Sequence, residues 1–523
     1  MQIQKYEIPA HAVQHVHLMM LVGAITALAV ACLSVWLLDT TPAIDWDEGW
    51  TATIAENWVE RGFYGRLSNN ELAPPGLSAS FPVVGTVALA MRVFGVGIWQ
   101  GRLAAVITMT AALALYFLLL RSWFDWRVAL TTMCILVLLV PHPRANVFWM
   151  ARQMFAEPLQ FLTLLGGFAA LLLTRTKSRL WLVAVILFWA TALASKAQVL
   201  PFFAVMGAAL VGLNVLNRRY RDARFALIAV VGALVGWQLE LRTFDWILSG
   251  HSMPAEPLPD ISLVLGFVPS PSIRITAFVV AWLVGTPVIL GLAYFLFQRI
   301  RHNHWLRLLD RDEDLRISLW VLATTWFLWY VFMSHAGITR YIFSPIFFGA
   351  PFAAVMFRDF TDNFNVRSTM WRLVAPLRTK RLSRKNVGAW IVFSLILFYL
   401  PLTLFISYQT ATATEGRDLI MTTDYLNQNT PTDARIETYE SPLFIYLHRS
   451  YHYPPDALHL ELNKRAARLP AVVNYDALQS DPDYLVVGPT ARTWQLYDPV
   501  IAAGVFRLIQ SFGQYTIYQR VRP

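Results

Sequence analysis

Apolar runs long enough, or nearly long enough, to cross about 30 Å of hydrocarbon recur along this chain. They lie near residues 17 to 38, 103 to 120, 128 to 141, 154 to 174, 180 to 194, 197 to 216, 225 to 241, 275 to 297, 317 to 333, 341 to 357 and 388 to 407. A chain with so many such runs folds in a bilayer, where helices satisfy their own backbone groups. Of the 523 residues, 56% are hydrophobic and 15% charged, and the mean hydropathy is +0.46, too apolar for an ordinary soluble enzyme. The net charge of +10 raises nucleic acid as a partner. The basic residues, however, sit in short loops between apolar runs, where they orient a chain in the membrane, so nucleic-acid binding is discounted. The two cysteines, Cys32 and Cys134, both lie in apolar runs and offer neither a disulfide framework nor a zinc cluster. The first run is longer than a signal-peptide core and lacks a clear small-residue cleavage site, so it is expected to remain as the first span.

A twelfth run, 78 to 95, decides the topology. If it does not cross, one side of the membrane carries Arg121 and Arg127, Arg175 to Arg179, Arg218 to Arg224, five arginines between 299 and 316, and eight Lys/Arg between 358 and 385. The positive-inside bias makes that side cytoplasmic. Pro82, Gly85 and Arg92 also weaken this run as a lipid-exposed span. We read it as juxtamembrane, with the N-terminus cytoplasmic and the tail extracytoplasmic.

Behind the first span, DWDEGWTATIAENWVERGFYG (Asp45 to Gly65) reads as an amphipathic helix. Asp45 and Glu48 resemble a capping box, Trp50, Ile54 and Trp58 form a stripe, and Gly62 supplies the stop. Such a Trp-striped helix is expected to lie flat at the lipid-water boundary. The adjacent acids Asp47 and Glu48 at its start have a bland reading too, as complements to the helix dipole. In this topology further ionisable residues gather on the outer side: Arg152 and Glu157, Lys196, Glu240, His335 and Arg340. A lone charge there is usually an interfacial anchor; several of both signs point to a site, because charges at membrane depth are costly. The proline-rich loop 242–274, with His251, Glu256 and Asp260, reads either as a mobile cover over that site or as a plain surface loop. The loop 358–385 fixes topology and suits anionic headgroups.

From about Gln409 the composition changes. GRDLIMTTDYLNQNTP reads as a helix, ARIETYE as a strand, SPLFIYLHR as a helix and PDYLVVGP as a buried strand. FRLIQSF and YTIYQRV form a hairpin around Gly513 and Gln514. The expected fold class is thus an α-helical polytopic membrane protein, with about eleven transmembrane helices and juxtamembrane helices, plus a small C-terminal α/β extracytoplasmic domain. The expected division is 1–407 for the membrane unit, with 39–102 as its first outer loop, and 408–523 for the soluble domain. The tail serves acceptor recognition or stability.

The constellation suits transfer from a lipid-anchored donor whose leaving group is a phosphate. A carboxylate, Asp47 or Glu48, takes the proton of an acceptor hydroxyl or amine, while Arg152, Lys196 and Arg340 hold the departing phosphate.

The chain resembles the polyprenyl-phosphate-dependent GT-C glycosyltransferases, in particular the protein O-mannosyltransferase and aminoarabinose-transferase group. The resemblance rests on WDEGWTATIAENWVERGFYG, then in order APPGLSASFPVVGTVALAMRVFGVGIWQGRLAAV, RANVFWMARQMFAEPLQF, ASKAQVLP and TRYIFSPIFFGAPFAA, and on PDYLVVGP and FGQYTIYQR in the tail. It implies Asp47 as the catalytic carboxylate with Glu48 beside it, Glu157 as the second acid, Lys196 as the lysine, and Arg340 with Tyr341 near the lipid phosphate. It also implies a polyprenyl-phosphate sugar donor, an extracytoplasmic acceptor (protein, glycan or lipid) and inversion at the sugar. Glu157 replaces the more usual Asp, Ala73 stands where His or Lys often precedes the Pro pair, and Ala197 replaces a Gly. Some relatives use a divalent metal; Glu157, His251 and His335 are the candidate ligands. A lipid or solute transporter and a catalytically silent scaffold of the same fold are the rival readings.

Overall fold

The computed structural model describes residues 35–77, 80–254, 271–302, 307–308, 310, 312–334, 338–379, 383–466 and 468–522. The expected first span, apart from its last residues, and the middle of the 242–274 loop lie outside them. Among the described residues, eight helices are long and apolar enough to cross a membrane. They are Ile98–Trp123, Glu157–Thr176, Leu200–Leu216 with the turn before it, Tyr220–Leu248, Pro271–Arg301, Glu313–Phe332, Phe343–Phe360 and Arg384–Thr412. The expected runs 128 to 141 and 180 to 194 are the shorter apolar helices Trp126–Leu138 and Trp181–Ser195. The run 78 to 95 is a helix of 14 residues, Phe81–Phe94, about 21 Å long at 1.5 Å per residue and too short to cross alone. The chain is a multi-pass membrane protein. Its last membrane helix continues to Thr412, five residues past the expected boundary at 407, and the helix Tyr220–Leu248 absorbs the first residues of the expected 242–274 loop.

The bundle is organised around Phe343–Phe360, which is buried continuously from Phe343 to Phe357. Phe347 stacks on Phe161 (4.3 Å between centroids) and on Tyr116 (4.9 Å), tying three helices together. One end of the bundle is pinned by charge: Asp314 accepts from Arg175 (3.0 Å to Oδ1) and from Asn214 (2.6 Å to Oδ2), all three buried. Arg175 and Glu157 stand at opposite ends of one helix, about 27 Å apart along its axis. That is nearly the hydrocarbon thickness, so the residues around Glu157 belong to the other membrane surface.

The tail forms a five-stranded sheet. Its strands run in the order Ser450–His452, Arg435–Thr438, Tyr484–Val487, Tyr515–Arg520, Phe506–Phe512; the first three are parallel and the last two close an antiparallel hairpin at Gly513. Helix Glu415–Asn429 leads into it. The expected helix over SPLFIYLHR is instead a short 3-10 turn, Ser441–Leu443, followed by irregular chain. The reason is packing. A Cβ added at Gly49 would sit 2.5 Å from the carbonyl carbon of Ser441, so this segment is pressed backbone to backbone on the Trp46–Arg61 helix. Strand Ser450–His452 and helix Asp456–Ala466 escaped the sequence reading.

The same contact corrects the environment of the Trp stripe. Trp50 is buried against Phe444 (5.0 Å) and Tyr453 (4.7 Å), with the Arg66 guanidinium 4.8 Å above its ring. Trp58 packs on Tyr64 and Phe81. The stripe faces protein rather than lipid, because the tail folds back over it. Arg66 donates to both oxygens of Asp456 (2.9 and 3.0 Å) and Trp46 Nε1 to the Tyr439 carbonyl (3.0 Å), which fastens the C-terminal domain to the membrane unit.

Candidate active site

The helix Trp46–Arg61 starts where the sequence says it should. Asp45 caps it, both halves of the capping box form, and Gly62 ends it in the left-handed conformation (φ 66°). This fixes the first turn and sends its two acids different ways. Glu48 is wholly buried: Arg102 Nε and Nη2 each donate to it at 2.7 Å, and the backbone N–H groups of Met154 (3.1 Å) and Asp45 (3.3 Å) complete its shell. Asp47, partly exposed, accepts from Arg340 Nη2.

Arg340 stands between three carboxylates. Besides Asp47, its Nη1 lies 3.7 Å from Asp45 and its Nε 3.7 Å from Glu157 Oε1, and its guanidinium carbon is 4.3 Å from the centroid of Phe155. Glu157 Oε1 also accepts from Lys196 Nζ at 2.6 Å. Lys196 sits in an extended break (φ −156°, ψ 102°) between helix Trp181–Ser195 and the turn Ala197–Val199, and its ammonium lies 5.4 Å from the Tyr341 ring centroid. Gln160, one turn after Glu157, holds the Lys196 carbonyl (3.3 Å).

Asp47, Glu157, Lys196, Arg340 and Tyr341 all line one cavity of about 740 Å³, within the range of ligand sites. With Arg144 3.0 Å from Asp45 Oδ2, the three carboxylates are matched by three cations. Arg340 and Lys196, the two that line the cavity, can exchange a carboxylate for a phosphate.

Other candidate residues stand elsewhere. Glu48 does not line the cavity, and its saturated carboxylate marks it as a positioning residue. Arg152 is buried outside the cavity wall, with Nη2 on the Trp36 carbonyl and its guanidinium 5.5 Å from the ring centroids of Phe148 and Trp149. Glu240 accepts from Thr191 (3.1 Å) and likewise faces away. His251 is exposed, with Nδ1 3.2 Å from the Gly62 carbonyl, and His335 lies outside the described residues. Of the described candidate ligands, Glu157 is engaged by Lys196 and Arg340, and His251 bonds to the Gly62 carbonyl instead. Among the described residues no three His, Cys, Asp or Glu side chains are arranged to hold one. The sequence reading missed Asp245 and His459, which also line the cavity, and the role of Arg102, whose only signal was its place in the GRLAAV segment.

Solved structures share this architecture. The crystal structure of ArnT from Cupriavidus metallidurans bound to undecaprenyl phosphate superposes with a TM-score of 0.61 at 16% identity, covering 96% of this chain and 98% of that one. The fold is that of the GT-C glycosyltransferases. The apo state of the same ArnT matches this chain with a TM-score of 0.54 at 17% identity, over 98% and 99% of the two chains. The Archaeoglobus fulgidus oligosaccharyltransferase, tethered with an acceptor peptide, matches at 0.51 and 12% identity, over 95% of this chain and 74% of that one. No family model and no curated protein matches the sequence; the GT-C likeness is carried by shape.

Proposed function

We propose that this chain is a membrane glycosyltransferase that moves a sugar from a polyprenyl phosphate to an acceptor at the extracytoplasmic surface, inverting the anomeric carbon. The membrane unit, through the helix that ends at Thr412, forms the catalytic unit, and the tail after it a domain docked over the site. One observation carries the reading: a carboxylate and two cations share a single cavity at a membrane surface of a GT-C fold. The orientation follows from the basic loops, which cluster at the opposite end of the bundle. One structural neighbour binds undecaprenyl phosphate and another an acceptor peptide, which supports a lipid-linked donor and an outer acceptor here.

In this mechanism the donor phosphate enters between Arg340 and Lys196 and takes over the fork that holds Asp47. Asp47 gains basicity only once the donor is seated. It then accepts the proton of the acceptor hydroxyl or amine as that atom attacks the anomeric carbon. The bond from the anomeric carbon to the phosphate oxygen breaks, and Arg340 and Lys196 stabilise the charge that collects on the departing polyprenyl phosphate. Glu157 keeps both cations charged and in place, and Glu48 with Arg102 fixes the helix start that aims Asp47.

The test is a panel of radiolabelled polyprenyl-phosphate sugars offered to the purified chain with an envelope extract. Free lipid phosphate together with labelled acceptor supports transfer. Movement of intact donor across vesicles without cleavage would point to a transporter, and neither outcome to a silent scaffold.

A further inference from the structure

The helix Asp456–Ala466 carries His459, Leu460 and Asn463 into the cavity wall, and the mechanism above uses none of them. The His459 ring lies flat on the Trp46 indole, with centroids 4.5 Å apart and planes 8° apart. Its Nδ1 is 2.6 Å from the Tyr439 hydroxyl. Both supports are themselves held: Trp46 Nε1 donates to the Tyr439 carbonyl, and Arg66 grips Asp456 at the start of the helix. The imidazole is thus preorganised, although it belongs to a different domain from Asp47. Burial pushes its pKa below the ordinary value, against a smaller pull from Asp47 and Asp456, so the ring is neutral. Burial also raises the Tyr439 hydroxyl, which stays protonated. In the Nε2–H tautomer that hydroxyl donates to Nδ1.

Resting on the glycosyltransferase reading, we propose that His459 is an acceptor-positioning residue. With Nδ1 committed to Tyr439, its Nε2–H donates to an oxygen of a hydroxylated acceptor and turns the attacking hydroxyl toward Asp47. The donor phosphate is held by the membrane unit and the acceptor by the domain docked on it, so the two substrates meet across the seam between them.

The test uses the full chain in detergent, with undecaprenyl phosphate as the binding probe, a labelled polyprenyl-phosphate sugar that the wild type accepts as the donor, and an envelope extract as the acceptor source. His459→Ala and His459→Asn are expected to bind undecaprenyl phosphate within about twofold of wild type, while the extract concentration for half-maximal transfer rises about tenfold, a hydrogen bond's worth. His459→Gln, whose amide reaches the Nε2 position, is expected to recover most of that loss. Unchanged acceptor dependence in all three variants overturns the inference, as does a parallel loss of undecaprenyl phosphate binding, which marks a merely structural role. A wild type that transfers from no donor removes the glycosyltransferase reading and this inference with it; normal wild-type transfer with unaltered variants removes this inference alone.

Discussion

Arg102 grips Glu48 through two bonds of 2.7 Å, Nε to Oε1 and Nη2 to Oε2, with both side chains wholly buried. This pair ties the start of the Trp46–Arg61 helix to the membrane helix Ile98–Trp123, one residue away from Asp47. Removing one partner strands the other charge at a cost of about 3 to 5 kcal/mol. Arg102→Met is therefore expected to lower the unfolding transition sharply in detergent. Asp47→Asn, at a partly exposed position, is expected to leave that transition nearly unchanged.

The two domains approach closely at Gly49, where an added Cβ would meet the Ser441 backbone at 2.5 Å. Backbone cannot swing aside as a flexible side chain does. Gly49→Ala is expected to lift the C-terminal domain off the membrane unit, seen as faster proteolysis between the two and a loss of transfer, although Ala is the better helix former.

Arg340 spans Asp45, Asp47 and Glu157 with one planar fork, a geometry a lysine point charge cannot copy. Arg340→Lys keeps the charge yet is expected to cut kcat by about a hundredfold, the scale of losing one preorganised transition-state donor. Rates of the two proteins at saturating donor check this.

Glu440 in the C-terminal domain is buried, and desolvation raises its pKa from 4.5 to about 7, against hydrogen bonds from Ala491 and Thr490. The folded domain then binds a proton that the unfolded chain releases, so stability is fully present below about 4.5 and falls as pH rises toward 7. Glu440→Gln keeps an acceptor for the Ala491 N–H (2.8 Å) and cannot ionise. Its unfolding temperature is expected to lose that part of the decline between pH 5 and 7, as scanning calorimetry at several pH values would show.

Local signals in the sequence proved legible where the physics is local. The Asp45 cap, the Gly62 stop and the Gly513 hairpin each depend on a few adjacent residues, and each stands where the sequence places it. Lengths of apolar runs locate the membrane helices for the same reason. What a buried face meets is not local. The Trp50 stripe reads identically against lipid or protein, and only the returning tail decides between them. Asp47 and Glu48 are neighbours in sequence, but successive helical residues point about 100° apart, so one enters the cavity and the other the core. Arg102 and His459 are 54 and 413 residues from their partners Glu48 and Trp46 in numbering, and nothing short of the fold brings them near.

The most direct measurement is single-turnover transfer by Asp47→Asn with a labelled donor that the wild type accepts. The variant keeps the side-chain shape and a partner for Arg340 but has no base. Undecaprenyl phosphate binding is expected to persist while the rate falls by about 10²- to 10⁴-fold, the contribution of a general base. Transfer at the wild-type rate would contradict the role given to Asp47 and the mechanism built on it.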